Sequence, residues 1–334
     1  MDFPFYKIDS TPSQIPAELP TSPPTVAQNF ENYLPDEGLV HAVNVALLLG
    51  QPLLLTGEPG VGKTQLAYHL AWQLGLGKPL EFFAKSTSAA RDLLYSYDTL
   101  GRFHAAQMKK DIQAEDYFTL NALGLAIVLA SPKAYIKEHL PFLIDTVFYK
   151  EPQRSIVLID GIDKAPDDFA NDILDPIEAM YLQIYELGNV TIRADAKVRP
   201  IVVITSNLKK ALPETFLRHC TYYHIPFPEK PQLARVISKH LGEFANQHSY
   251  FLAKTLNLFY EFRNNLHKKP SIGELLNWLV ILRKLFASEL ADNKNPLPHH
   301  PERTLNTLSC LVKTIEDYQR AQDILQHWCK KERS

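Results

Sequence analysis

Eight residues, Gly57-Glu58-Pro59-Gly60-Val61-Gly62-Lys63-Thr64, constrain this chain more than any other stretch of it. They follow a short apolar run, Leu53–Thr56, and lead into an amphipathic segment, Lys63–Leu74. That order reads as strand, loop, helix. Glycines let the loop turn its backbone N–H groups inward without a Cβ in the way. The helix that starts near Lys63 adds its positive N-terminal dipole. Such a loop cradles phosphates, with Lys63 reaching the β- and γ-phosphates and the Thr64 hydroxyl ligating Mg²⁺. The expected binding set is Gly57, Glu58, Pro59, Gly60, Val61, Gly62, Lys63, Thr64 and Gln65, and the expected ligand is a nucleoside triphosphate, ATP foremost, with Mg²⁺. A glycine turn that binds nothing is the alternative, and the strand before and helix after the loop speak against it.

A second acidic element supports that expectation. Ile156-Val157-Leu158-Ile159-Asp160 reads as a buried strand that ends in a carboxylate. An acid there holds the Mg²⁺ water shell beside the loop threonine. Thr64 and Asp160 are therefore the expected metal-side ligands.

Further apolar runs, Leu80–Phe83, Ile201–Thr205 and Tyr222–Ile225, have the length and composition of covered central strands. Val40–Leu49, ahead of Leu53–Thr56, has helical apolar spacing, and so does Lys63–Leu74 between that run and Leu80–Phe83. Strands alternating with helices imply an α/β fold with a mostly parallel five-stranded sheet. After Pro226 the strands stop. Lys230–Leu241, Leu252–Asn264, Ser271–Leu290 and Pro301–Lys331 all read as helices. The expected organisation is a proline-rich arm over Met1–Asp36, an α/β core over Glu37–Pro228 and a smaller helical domain over Glu229–Ser334. Asp98–Pro152 reads as an insertion, with helices near Tyr117–Ala130 and Pro132–Leu140. Ile184–Arg199 alternates about Gly188-Asn189 and reads as a β-hairpin.

Hydrophobic residues make up 46% of the 334-residue chain, enough for a real core. A formal charge of −2 argues against general attraction to nucleic acid or to an anionic membrane. Cys220, Cys310 and Cys329 are too few for a disulfide framework and are not spaced as a zinc site. His299-His300 has no spaced partner for a metal. With no secretory leader and no apolar stretch of membrane-spanning length, a soluble cytoplasmic protein is expected.

The segment Asp160-Gly161-Ile162-Asp163-Lys164-Ala165-Pro166 resembles the Walker B region of MoxR-like, dynein-related AAA+ ATPases, which reads Asp-Glu-Ile-Asp-Lys-Ala-Pro. Flanking motifs agree: Lys85-Ser86-Thr87, Arg91 through Asp98, Ile204-Thr205-Ser206-Asn207, and Leu212-Pro213-Glu214-Thr215-Phe216-Leu217-Arg218. The likeness runs from about Glu37 to Trp278. It implies a P-loop AAA+ core followed by a helical lid. It also makes Asn207 a sensor that orients the lytic water, and Arg218 a finger reaching a neighbouring subunit. Asp160, Asn207 and Arg218 are thus the expected catalytic residues. The family works as rings, commonly hexameric, that remodel or activate a protein partner, often one with a von Willebrand factor A-type domain.

Two departures qualify what the resemblance implies. Gly161 stands where relatives carry the glutamate that polarises the attacking water. Asp163 is no replacement, because the family has an aspartate there as well. Losing a general base costs about 10²–10⁴ in rate, so slow hydrolysis is expected. No arginine stands near Pro270–Glu274, where lids often supply a second sensor. His219 replaces the second of two arginines often found after Leu217. An alternative reading is a nucleotide-dependent scaffold or switch with little turnover. A small-molecule kinase fits the helical C-terminal part poorly.

Overall fold

The computed structural model describes residues 30–108, 113–146, 151–292 and 294–333. Of the proline-rich arm expected over Met1–Asp36, residues 1–29 lie outside this set, as do 109–112 and 147–150 of the expected insertion. Two compact units are present: residues 35–227, and residues 30–34 together with 228–333.

In the first unit, Asp36 caps α1 (Glu37–Leu49) by accepting the Leu39 N–H at 2.8 Å. Five strands follow in chain order: β1 (Leu53–Gly57), β2 (Leu80–Phe83), β3 (Ile156–Asp160), β4 (Ile201–Ser206) and β5 (Thr221–Ile225). They form a single sheet in the order β2-β3-β4-β1-β5, and every pair in it is parallel. All five residues of β1 are buried, as are Ile156–Ile159 of β3 and Val202–Ser206 of β4. Alternate side chains point to opposite faces, so burial along whole strands means that both faces of the sheet are covered.

The chain leaves β1 for the far edge at β2, returns through β3 and β4, and then passes β1 to add β5. Such a reversal beside β1 opens a crevice at the carboxyl ends of the strands, where ligands bind in sheets of this kind. Between β1 and β2 runs α2 (Lys63–Leu74), which buries Leu66, Ala67, Leu70 and Ala71.

The expected insertion is not all helical. Phe118–Leu120, expected as helix, is a strand that pairs antiparallel with Tyr95–Tyr97. The helix starts only at Ala122, after Asn121 donates its backbone N–H to Leu94 O and its side-chain amide to Asp92 O. Helix Ala122–Leu129 is apolar nearly all round because it packs against β2 and β3 on one side and a hairpin on the other. That hairpin pairs Tyr181–Ile184 with Val190–Arg193, so it lies earlier than the expected Ile184–Arg199. Leu182, Ile184 and Ile192 are its buried positions. Residues 196–198 are a 3-10 turn closed by Asp195, which accepts the Lys197 N–H.

In the helical unit, α3 (Lys230–Leu241), α4 (Ser249–Asn265), α5 (Ile272–Leu285) and α6 (Ile315–Arg333) are the long elements. Ser271 and Glu274 form a complete capping box at the start of α5. Two expected helices are broken. Ser271–Leu290 stops at Phe286, a fully buried residue outside helical geometry, and resumes as Ala287–Ala291. Pro301–Lys331 is a short helix Pro301–Leu305, a 3-10 turn and then α6. The break seats Thr307, whose hydroxyl accepts the Trp278 indole N–H at 2.7 Å and donates to Thr304 O at 2.7 Å. The three cysteines are free. Burial pushes the Cys220 thiol up to about 12, with Glu178 adding to the effect.

A Cβ at Gly124 would collide with the carbonyl oxygen of Leu94. Gly124→Ala should therefore destabilise the α/β unit by about 1–3 kcal/mol through overpacking. Urea denaturation measures this, and an unchanged midpoint would contradict the packing described.

Candidate functional site

The site is built on the crevice end of β1. At Gly57 φ is 147°, and an added Cβ would stand 2.6 Å from the carbonyl oxygen of Ile225 and 3.1 Å from Val61 Cγ2. Only glycine fits this passage between β5 and the returning loop. The loop closes at Gly62, whose φ of 97° makes it the left-handed cap of α2.

Lys63 is 6% exposed. Its Nζ donates to Gly57 O and Glu58 O, both at 2.9 Å, so the ammonium sits inside the loop. Burial holds it below the ordinary lysine range, while the carboxylates of Asp160, Asp163 and Glu58 pull it back up. A cation stripped of water and ringed by loop backbone favours anionic oxygens that replace those carbonyls.

Thr64 faces Asp160: its hydroxyl lies 3.3 and 3.4 Å from the two carboxylate oxygens. That is long for an O–H···O bond. Adjacent oxygens around Mg²⁺, each about 2.0–2.1 Å from the metal, stand roughly 3 Å apart. The pair therefore suits a small hard cation, and among the described residues no cluster of three or more His, Cys, Asp or Glu offers another metal site.

Asp160 is held from its other side by Thr205. The Thr205 hydroxyl donates to Asp160 Oδ1 and accepts the Gly161 N–H at 2.9 Å. Thr205 is not among the site residues expected from the sequence. The clue is register: Ile159 pairs with Ile204, so the next residues on the two strands, Asp160 and Thr205, come side by side.

Gly161 has φ 74° and ψ 49°, a left-handed conformation that costs other residues about 1–2 kcal/mol. An added Cβ would lie 2.9 Å from Cε and Nζ of Lys164, a tail that can move aside. Gly161 thus combines a left-handed turn with the lack of a side chain. Asn207 follows β4, and its N–H is accepted by Asp163 Oδ1 at 3.1 Å.

Lys63, Thr64, Asp160 and Asn207 are thus linked to one end of the sheet. Arg218 makes none of these contacts. It ends the short helix Glu214–Arg218, its side chain is 75% exposed, and its guanidinium pairs with Glu214 one turn back. His219 pairs with Glu178.

Residues 52–214 match the AAA domain family, dynein-related subfamily. The match takes in the loop, Asp160, Thr205 and Asn207 and stops short of Arg218. No curated protein matches the chain. Among solved structures, the crystal structure of a proposed ATPase from Cytophaga hutchinsonii is similar over 92% of both chains, with 14% identity and a TM-score of 0.38.

Thr205→Val removes both bonds made by the hydroxyl and leaves a buried Gly161 N–H unpaired. It should cost about 1–3 kcal/mol of stability and weaken Mg²⁺-dependent nucleotide binding more than metal-free binding. Titration with and without Mg²⁺ measures this. Equal losses in both conditions would separate Thr205 from the metal side of the site.

Proposed function

Since this chain carries an AAA domain of the dynein-related subfamily across residues 52–214, we propose that it binds ATP with Mg²⁺ in the loop Gly57–Thr64 and hydrolyses it slowly. In this reading it is MoxR-like, assembles as a ring, hexameric by analogy, and remodels or activates a protein partner. A partner with a von Willebrand factor A-type domain is the family expectation. A cytoplasmic location belongs to the same reading. Among the described residues no helix is long and apolar enough to cross a membrane.

The observation that carries the proposal is the buried Lys63 ammonium inside its loop, next in the chain to the Thr64–Asp160 pair. On binding, the phosphates take over the ammonium from Gly57 O and Glu58 O, and the loop amides complete the cradle. Thr64 and Asp160 would hold the Mg²⁺, which neutralises charge on the phosphates. Asn207, at the end of β4, orients the attacking water. No carboxylate follows Asp160 to take the proton from that water, because Gly161 has no side chain.

A turnover of order 10 s⁻¹ is typical of enzymes. Without the base it falls to about 0.1–0.001 s⁻¹. Phosphate release by the full chain, with Lys63→Ala as control, tests this. The expected result is a rate in that range that the substitution abolishes. A wild-type rate near the typical value would refute slow hydrolysis. Calorimetry without heat from any nucleoside triphosphate and Mg²⁺ would refute the function altogether. Light scattering should show assembly with ATP, and a persistent monomer would remove the ring.

The second reading, a nucleotide-dependent scaffold or switch, draws on Gly161. Gly161→Glu distinguishes the two. It should lower stability by about 1–2 kcal/mol because of the left-handed backbone. A gain in turnover in the Gly161→Glu variant would favour a switch whose base was lost. No gain would mean that the local turn cannot present the carboxylate.

A further inference from the structure

We propose that Asp163 is a positioning residue that sets Asn207 for its work on the γ-phosphate side of the site. This rests on the nucleotide-hydrolysing reading above.

The backbone around Asn207 is held in an unusual way. The sheet register carries β4 only as far as Ser206, paired with Thr56. The next amide, that of Asn207, is accepted by a side chain, Asp163 Oδ1, at 3.1 Å. The amide after it, Leu208 N–H, is also accepted by a side chain, Ser206 Oγ, at 3.1 Å. Leu208 itself sits at φ 57°, a conformation rare for a leucine, and is 53% exposed. Strain of this kind costs about 1–3 kcal/mol and persists where surrounding contacts over-determine the backbone.

Asp163 adds a cost of its own. It is 6% exposed, and its Oδ2 is sealed from solvent with no hydrogen-bond partner among the described residues. Leaving a buried acceptor unfilled costs about 1–3 kcal/mol, more for a charged group. The charge of Asp163 supports the buried Lys63 ammonium, but that support requires neither the bond to the Asn207 amide nor the strained Leu208 that follows it. A strained loop clamped by a buried carboxylate is what a fixed polar group beside reacting atoms requires.

The neighbouring acid cannot take this part. Asp160 is already engaged by Thr64 and Thr205. With glycine at 161, Asn207 is left as the polar side chain expected to orient water, so its placement matters more here than where a glutamate shares the task. Asp163 acts through Asn207 and need not touch nucleotide.

The test is a double-mutant cycle in the full chain: Asp163→Ala, Asn207→Ala and both together, with Asp163→Asn as the conservative variant. The asparagine oxygen still accepts the Asn207 N–H and carries no charge. Asp163→Ala should lower kcat at least tenfold and leave KM for ATP within about twofold. Asp163→Asn should return kcat to within about threefold of wild type. In the Asn207→Ala background, Asp163→Ala should add less than about twofold, because both act through one group. If turnover is too slow to follow, the ratio of ADP to ATP dissociation constants replaces kcat and should change in the same pattern. If Asp163→Ala does not fold, Asp163→Ser, whose hydroxyl is too short to reach the amide, takes its place.

A wild-type kcat and ATP preference in Asp163→Ala would overturn the proposal. So would an Asp163→Asn as impaired as the alanine, or effects that multiply in the double variant. A wild-type chain that binds no ATP fails the functional reading instead, and one that binds ATP normally while Asp163→Ala is silent fails this inference alone.

Discussion

At the carboxyl end of β1 there is no room for a side chain. Gly57 passes so close to Ile225 of β5 and to Val61 of its own loop that the chain must turn there as a bare backbone. The rest of the site follows from that passage. The turn folds the loop back over the strand end, so the Gly57 and Glu58 carbonyls face inward and meet the Lys63 ammonium. Gly62 then releases the chain into α2, and the first turn of that helix presents Thr64 to Asp160. Because β1 is flanked by β4 and β5, with β3 beyond β4, the ends of β3 and β4 stand beside the loop. Asp160, Thr205 and Asn207 reach the same crevice from there.

Charge explains how the loop keeps its lysine ready. Lys63 is largely removed from water, which disfavours its charged form, and three carboxylates offset part of that penalty. Asp160 contributes most to the offset, followed by Asp163 and Glu58. The ammonium donates to two backbone carbonyls, which carry no net charge and are readily exchanged for phosphate oxygens. A lysine locked in a single buried ion pair would have to break it first, at a cost of several kcal/mol. The loop is therefore poised for a polyanion without being closed against one.

The most legible strands are those whose burial is complete, whereas Leu80–Phe83 and Tyr222–Ile225, expected as covered central strands, are strands at the two edges of the sheet and partly exposed. Leu53–Thr56, Ile156–Ile159 and Ile201–Thr205 read as strands because both faces are covered, so their apolar runs are unbroken. The loop motif is legible because its chemistry is local. Phe118–Leu120 is not, since three residues of strand are stabilised by pairing with Tyr95–Tyr97 and by the packing of Phe118 against Tyr95 and Phe142, which no local pattern announces. The two breaks in the C-terminal helices escape for a similar reason. Phe286 and the Thr304–Thr307 turn leave helical geometry to satisfy Trp278 and the buried core, a tertiary demand that overrides propensity. Thr205 and Asp163 needed the strand register and the turn after β3 before their partners could be named. Gly161 is legible as a missing glutamate, whereas its left-handed φ is not.

That φ bears on what a side chain at position 161 would disturb. A glutamate replaced by glycine on an unchanged backbone would leave a simple vacancy, repaired by one substitution. Here the backbone holds a conformation that favours glycine, the Gly161 N–H is tied to Thr205, and the movable end of the Lys164 side chain lies 2.9 Å from where a Cβ would stand. The same Thr205 hydroxyl holds Asp160, so the metal-side acid and the glycine turn are coupled through one oxygen. Moving residue 161 toward a conformation suited to glutamate would pull on that oxygen, and so on Asp160. Asp160 and the glycine turn are therefore linked in the geometry, and a change at residue 161 would be felt at Asp160.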